Sequence, residues 1–172
     1  GISLQDSISD DYDDNLGGPD GGWGVEVAGA YYMDNGLSFF LGGAFEDDNE
    51  TGDAYVINSY VTFETGAWIF AAELNYGEID PDGVQKTDGT SGLLMANFAY
   101  SDVASVTGRV SFYDQDNAGT DEDGYALTLA HGYAFTDNLL LVTEVSYGEE
   151  DRDGAVQESE VLFGAVELLF TF

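Results

Sequence analysis

Residues 166–172 read VELLFTF, and how that stretch is placed decides the fold. Val166, Leu168, Phe170 and Phe172 fall on one side of an extended chain, with Glu167, Leu169 and Thr171 on the other. A chain end is normally the least tied-down part of a fold and a poor place to show two phenylalanines to water. Either this strand packs into an apolar core, or its bulky side faces something other than water.

Composition narrows the choice. The chain has 172 residues, enough for one domain over 1–172 with a sizeable core. Its net charge is −31, from 34 acidic and three basic residues. Disordered acidic chains are poor in aromatics, yet this one holds 11 Tyr, 11 Phe and 2 Trp. The charge is segregated into acidic runs between nearly uncharged stretches. No apolar run is long enough for a transmembrane helix. Cysteine is absent, which excludes disulfides, a thiolate nucleophile and cysteine-ligated metal. So few cations make phosphate-backbone binding repulsive, so nucleic acid is not an expected partner. The start, GISLQDSISDDYDD, lacks the apolar region of a signal peptide, so an exported form is expected to be a processed chain.

Working back from the C-terminus, period-two segments recur at 23–34, 37–47, 54–65, 67–78, 93–101, 104–114, 125–136, 138–148 and 159–172. They are longer than ordinary globular strands, and the two prolines, at 19 and 81, fall outside them. Their connections alternate. MDNGL (33–37), ETGA (64–67), YSDVAS (100–105) and FTDNL (135–139) are short and carry hairpin chemistry. EDDNETGDA, GEIDPDGVQKTDGTSG, DQDNAGTDEDG and GEEDRDGAVQESE are long and acidic. Alternation of this kind is the connectivity of an up-and-down antiparallel meander, and in transmembrane barrels the short turns are periplasmic.

The two faces of each segment differ. Trp23, Val25, Val27 and Tyr31 oppose Gly24, Glu26, Ala28 and Ala30, and Trp68, Phe70, Leu74 and Tyr76 oppose Ala71, Glu73 and Asn75. A soluble sheet would bury the bulky face and show the other to water, whereas a membrane barrel turns the bulky face to lipid. The second face is Gly, Ala, Ser, Thr and Asn with isolated Glu, which suits a crowded concave interior. Aromatics mark both ends of the bulky face, as with Tyr55 and Phe63 or Trp68 and Tyr76, like the girdles of a bilayer-spanning sheet. The expected fold is therefore all-β: a transmembrane up-and-down antiparallel barrel of about ten strands, eight being the alternative.

SVTGRVSFYDQD (105–116), YAFTDNLLLVTEVSYGEE (133–150) and VLFGAVELLFTF (161–172) resemble the C-terminal hairpins of porin-type barrels of Gram-negative outer membranes, in particular the OmpL-like family. The similarity covers roughly residues 55–172. It implies an integral outer-membrane location after signal-peptide removal, with Phe170 and Phe172 part of the signal read by the barrel-assembly machinery. Members of that family are generally larger, so the chain reads as a smaller relative or as part of a longer barrel.

Nine segments leave an odd number, whereas single-chain bacterial barrels have even strand counts. ISLQDSIS (2–9) supplies a tenth, and the rest of the acidic 1–22 segment, DDYDDNLGGPDGG, then becomes the first outer loop.

Parity directs Glu26, Glu64, Glu73, Glu144, Glu167 and Arg109 inward. Two outcomes are open: a cation-favouring conduit with Arg109 as a constriction against carboxylates, or a filled lumen in which Arg109 pairs with one or two Glu. Asp114, Asp116, Asp121 and Asp123 offer hard oxygen ligands, but Ala118 and Tyr125 stand where an EF-hand needs ligands. What remains is loosely bound Ca²⁺ or Mg²⁺, bridging to lipopolysaccharide, against the alternative of a solvated repulsive surface. No other cofactor is expected. His131, the single histidine, falls on the lipid face unless a bulge turns it inward, and has no paired nucleophile, so no enzyme is expected. The function read from the residues is porin-like passage of small solutes or cations. The alternative is a structural or surface-interaction barrel with a plugged lumen, and self-association is open to either.

Overall fold

The computed structural model of the protein describes residues 2–6, 23–48, 52–81, 83, 85–154 and 159–171, the side chains of 2–6 and 48 excepted. Ten strands run in chain order: β1 (Ile2–Asp6), β2 (Trp23–Tyr32), β3 (Leu37–Asp48), β4 (Gly52–Thr65), β5 (Trp68–Asp80), β6 (Thr87–Ser101), β7 (Ala104–Asn117), β8 (Asp121–Thr136), β9 (Leu139–Arg152) and β10 (Ser159–Phe170). They form one sheet in the order β1 to β10, and each strand pairs antiparallel with the next. Among the described residues β1 and β10 do not pair with each other, so the meander is present and its seam is open. The tenth strand expected near the start is β1, in register with β2 from Ile2↔Val27 to Asp6↔Trp23. The loop expected after it, and Phe172, lie outside the described residues.

Several strands run further than the alternation of apolar residues suggests. The segment expected at 93–101 is β6 from Thr87, and DQDNAGTDEDG is mostly paired strand, with only residues 118–120 between β7 and β8. Asn117 and Thr120 exchange both backbone hydrogen bonds (2.9 and 3.3 Å) around Ala118 (φ 53°) and Gly119 (φ 84°). Two successive positive φ values make the two-residue turn whose twist matches a hairpin. Acidic side chains hide this from the sequence because Asp and Glu are depleted in strands on average. Backbone pairing past the apolar band tolerates them where water solvates both faces. At the other end, Gly36 has φ 85°, and a Cβ there would lie 2.2 Å from the Glu64 carbonyl oxygen. Only glycine fits that turn.

The ladder keeps parity across the sheet. Val110↔Leu127↔Tyr147↔Leu162 is a transverse row of the bulky face, and Arg109↔Thr128↔Ser146↔Phe163 is the neighbouring row of the small-residue face. Among the described residues Ala104 is the only hydrophobic residue that is buried; Glu46, Thr128 and Ser146 are buried polar residues. Val27, Leu41, Leu74, Leu94, Leu129 and Val166 are all exposed. A water-soluble domain rarely exposes a contiguous apolar surface of more than a few hundred Å², so this sheet is organised for lipid. Four aromatic pairs bound the apolar band at matching positions: Trp23/Tyr31, Tyr55/Phe63, Tyr76/Trp68 and Tyr125/Tyr133. Eight residues of strand are about 27 Å long. At a tilt of about 40° they rise about 20 Å, close to the height of an outer-membrane apolar band.

Candidate solute-facing surface

Short and polar side chains on alternate positions let neighbouring strands of the small-residue face bond to each other through their side chains. Ser38 and Thr62 hydroxyls meet at 2.5 Å, Asn97 Nδ2 donates to Thr107 Oγ1 at 2.7 Å, and Thr128 and Ser146 hydroxyls meet at 2.9 Å. At the centre of β4 to β6, Asn75 Nδ2 donates to Glu73 Oε1 (2.9 Å) and reaches Ser91 Oγ (3.4 Å). Asn58 bonds Asn75 and also reaches Glu73 Oε1 (3.4 Å). Across the sheet these bonds hold the side chains upright and leave a wettable surface.

All five expected glutamates and Arg109 lie on this face, but they do not converge on one ring. Glu26 stands opposite Ala44, Glu64 opposite Ile69 near the short turns, Glu144 between Ala130 and Ala165, and Glu167 opposite Val142. Glu73 is level with Tyr60 and Leu93. Arg109 lies one row further toward the short turns, between Met95 and Thr128. Its Nη2 donates to Thr128 Oγ1 at 3.5 Å. Among the described residues the ion pairs are those of Lys86 with Glu78 (2.9 Å) and Asp88 (3.3 Å), so the carboxylate partners considered for Arg109 are not in place. Small cross-strand neighbours leave a groove of about 420 Å³ lined by Asn75, Ser91, Ser111, Tyr113, Ala126 and Glu150, among others.

The bulky face carries a rim of hydrogen-bonded aromatics that parity alone does not disclose. Tyr55 and Tyr76 hydroxyls both donate to Glu78 Oε2 (3.2 and 3.0 Å), Tyr147 donates to Glu149, and Trp23 Nε1 donates to Asp47 at 2.9 Å. Each polar tip thus finds an acceptor one step beyond the apolar band, the wet-and-dry placement that suits Tyr and Trp. A sequence signal exists, the repeated Tyr-Gly-Glu at 76–78 and 147–149. Lys86, in the connection after β5, is held protonated above its ordinary range by the carboxylates of Glu78 and then Asp88. At the short-turn end Trp68 packs on Phe98 (4.6 Å between centroids) and Tyr133 on Phe135 (5.1 Å).

His131 stays on the bulky face, opposite Val106 and Thr143, and its Nε2 meets the Tyr100 hydroxyl at 2.6 Å. The register shift in β8, between Ala134 and Thr136, lies beyond it and does not turn it inward. Asp114, Asp116, Asp121 and Asp123, expected in a loop, lie on paired strands as Asp114↔Asp123 and Asp116↔Asp121. Among the described residues no group of three or more His, Asp or Glu is arranged to hold a metal ion. Phe170 ends β10 on the bulky face, where Thr171 and Asn138 exchange bonds of 3.0 and 2.9 Å across to the β8–β9 turn.

Solved structures of outer-membrane proteins share this architecture. The outer-membrane expressed OmpT of Vibrio cholerae superposes with a TM-score of 0.69 at 16% identity, over 87% of this chain and 56% of that one. Its loop L8 deletion mutant gives 0.68 at 15% identity, over 86% and 54%. At such identity the likeness is one of fold, and the chain spans little more than half the length of either. No curated protein sequence matches the chain at a significant level. The family model described as "Putative beta-barrel porin-2, OmpL-like" matches residues 5–172. With its all-β meander and its apolar outer band, the chain belongs to that family of outer-membrane β-barrels.

Proposed function

We propose that the protein is a porin-like barrel of the bacterial outer membrane through which small solutes, cations foremost, pass along the small-residue face. The observation that carries this reading is the make-up of that face: Glu26, Glu64, Glu73, Glu144 and Glu167 against Arg109, on a side-chain network of amides and hydroxyls. Carboxylates spread along a wall lower the energy of a cation along the whole path without trapping it at one point. The seam between β1 and β10 must close for a lumen to exist, through each other or through further strands, because unpaired backbone groups in lipid cost several kcal/mol each. Export with loss of a signal peptide, assembly directed by Phe170 and Phe172, and contact with lipopolysaccharide through loosely held Ca²⁺ or Mg²⁺ at the acidic rim belong to the same reading. It includes no enzymatic step.

Planar-bilayer recording in a KCl gradient tests it. Folded protein is expected to give channels that favour K⁺ over Cl⁻, and Arg109→Ala is expected to raise conductance or strengthen that preference. No channel events from correctly folded protein would overturn it. One observation favours the second reading, a structural or surface-interaction barrel with an obstructed lumen. Val161, Phe163 and Leu169 are apolar residues of β10 on the small-residue face, and they are exposed. A covering element over them, from further strands or another copy, would block part of the path, and silent bilayers would then be the result.

A further inference from the structure

We propose that Phe40, Tyr60 and Glu73 form a subsite for small organic ammonium ions on the small-residue face. The inference rests on the reading of that face as solute-facing and names the class of solute it holds best. Phe40, Tyr60 and Glu73 stand directly opposite one another on β3, β4 and β5. The Phe40 and Tyr60 rings stack with centroids 4.9 Å apart and planes 10° from parallel. Phe40 on β3 takes one face of Tyr60, and Glu73 stands across from Tyr60 on the other neighbouring strand, β5. Phe40 is fixed in turn by leaning over Gly42, where a Cβ would lie 3.0 Å from its ring. Tyr60 remains 38% exposed.

Glu73 is positioned as firmly. Its Oε1 accepts from Asn75 at 2.9 Å and from Asn58 at 3.4 Å, and no cation among the described residues pairs with it. An aromatic ring and a positioned carboxylate therefore stand at the same level on neighbouring strands. Cross-strand neighbours are about 5 Å apart at Cβ, which puts a cation over Tyr60 within reach of Glu73. A bare metal cation has little to gain from a ring face while it keeps its water. An alkylammonium is weakly hydrated and gains from both the ring quadrupole and the carboxylate.

The test is calorimetric titration of the detergent-folded protein with tetramethylammonium chloride at constant ionic strength, alongside KCl conductance of the same preparation. Saturable binding is expected, weakened roughly fivefold to tenfold by Tyr60→Leu and by Glu73→Gln, and retained by Tyr60→Phe, which keeps the ring. Glu73→Gln preserves shape, so it keeps the test open should Tyr60→Leu not fold. No saturable heat, or unchanged affinity in Glu73→Gln, overturns the subsite. Potassium channels without tetramethylammonium binding would sink the subsite and leave the conduit standing. Binding without channels would do the reverse.

Discussion

Leu94, Leu127 and Leu129, in the middle of their strands on one face, are 62, 48 and 55% exposed, whereas Thr128 and Ser146 on the opposite face are 7 and 5%. In a soluble sheet the ordering would run the other way, with leucine covered and hydroxyls in water. The contrast shows what surrounds each face. Leucine is left open where the surroundings are hydrocarbon. Hydroxyls are drawn together where strands crowd and each polar group needs a partner. Because the two residue sets alternate one by one along the same strands, a single-position change of identity can be compared with its neighbour at almost the same depth.

A charge at mid-band separates the two faces most strongly. Leu129→Arg is expected to destabilise the folded protein in lipid by about 2–4 kcal/mol. Ala130→Arg, one residue away and opposite Glu144, is expected to cost under about 1 kcal/mol. Equal costs in urea unfolding from vesicles would mean that both faces meet the same medium. Next comes the hydroxyl network. Thr128→Val leaves the buried Ser146 hydroxyl without its 2.9 Å partner and is expected to cost about 1 kcal/mol. The double change with Ser146→Ala is expected to recover little of that, since Ser146 keeps the Leu127 carbonyl at 3.4 Å while Arg109 still lacks the Thr128 hydroxyl. The smallest effect is at the β7–β8 turn. Ala118→Asn replaces a residue strained at φ 53° by one suited to that conformation, and a gain of about 0.5 kcal/mol is expected in the same assay.

How much of this was legible in the sequence follows from what each level needs. Period two is a local property, so the faces of Trp23–Tyr32 and Trp68–Tyr76, the parity of the five glutamates and Arg109, and even the strand at Ile2–Asp6 could be read from residue order. Strand ends could not. Thr87–Gly92 and Asp121–Gly124 carry turn-rich and acidic residues, and only pairing with their neighbours reveals them as sheet. Register was equally hidden, since a slide of two residues keeps every face and changes every partner. Residue order therefore gives Glu73 a face but not its bonds to Asn58 and Asn75, and it carries no mark of the stack of Phe40 on Tyr60. The Tyr-Gly-Glu repeat was present in the letters, but its meaning required Tyr55 and Tyr125 to be opposite Glu78 and Glu149.

Lipid on one face and water on the other can be tested residue by residue because the chain has no cysteine. Single cysteines at 126, 127, 129 and 130, exposed to a charged maleimide in protein reconstituted into lipid vesicles, report access directly. Alternation is expected, with Ala126→Cys and Ala130→Cys labelled and Leu127→Cys and Leu129→Cys protected. Labelling of the leucine positions with protection of the alanine positions, or uniform labelling of all four, would contradict it.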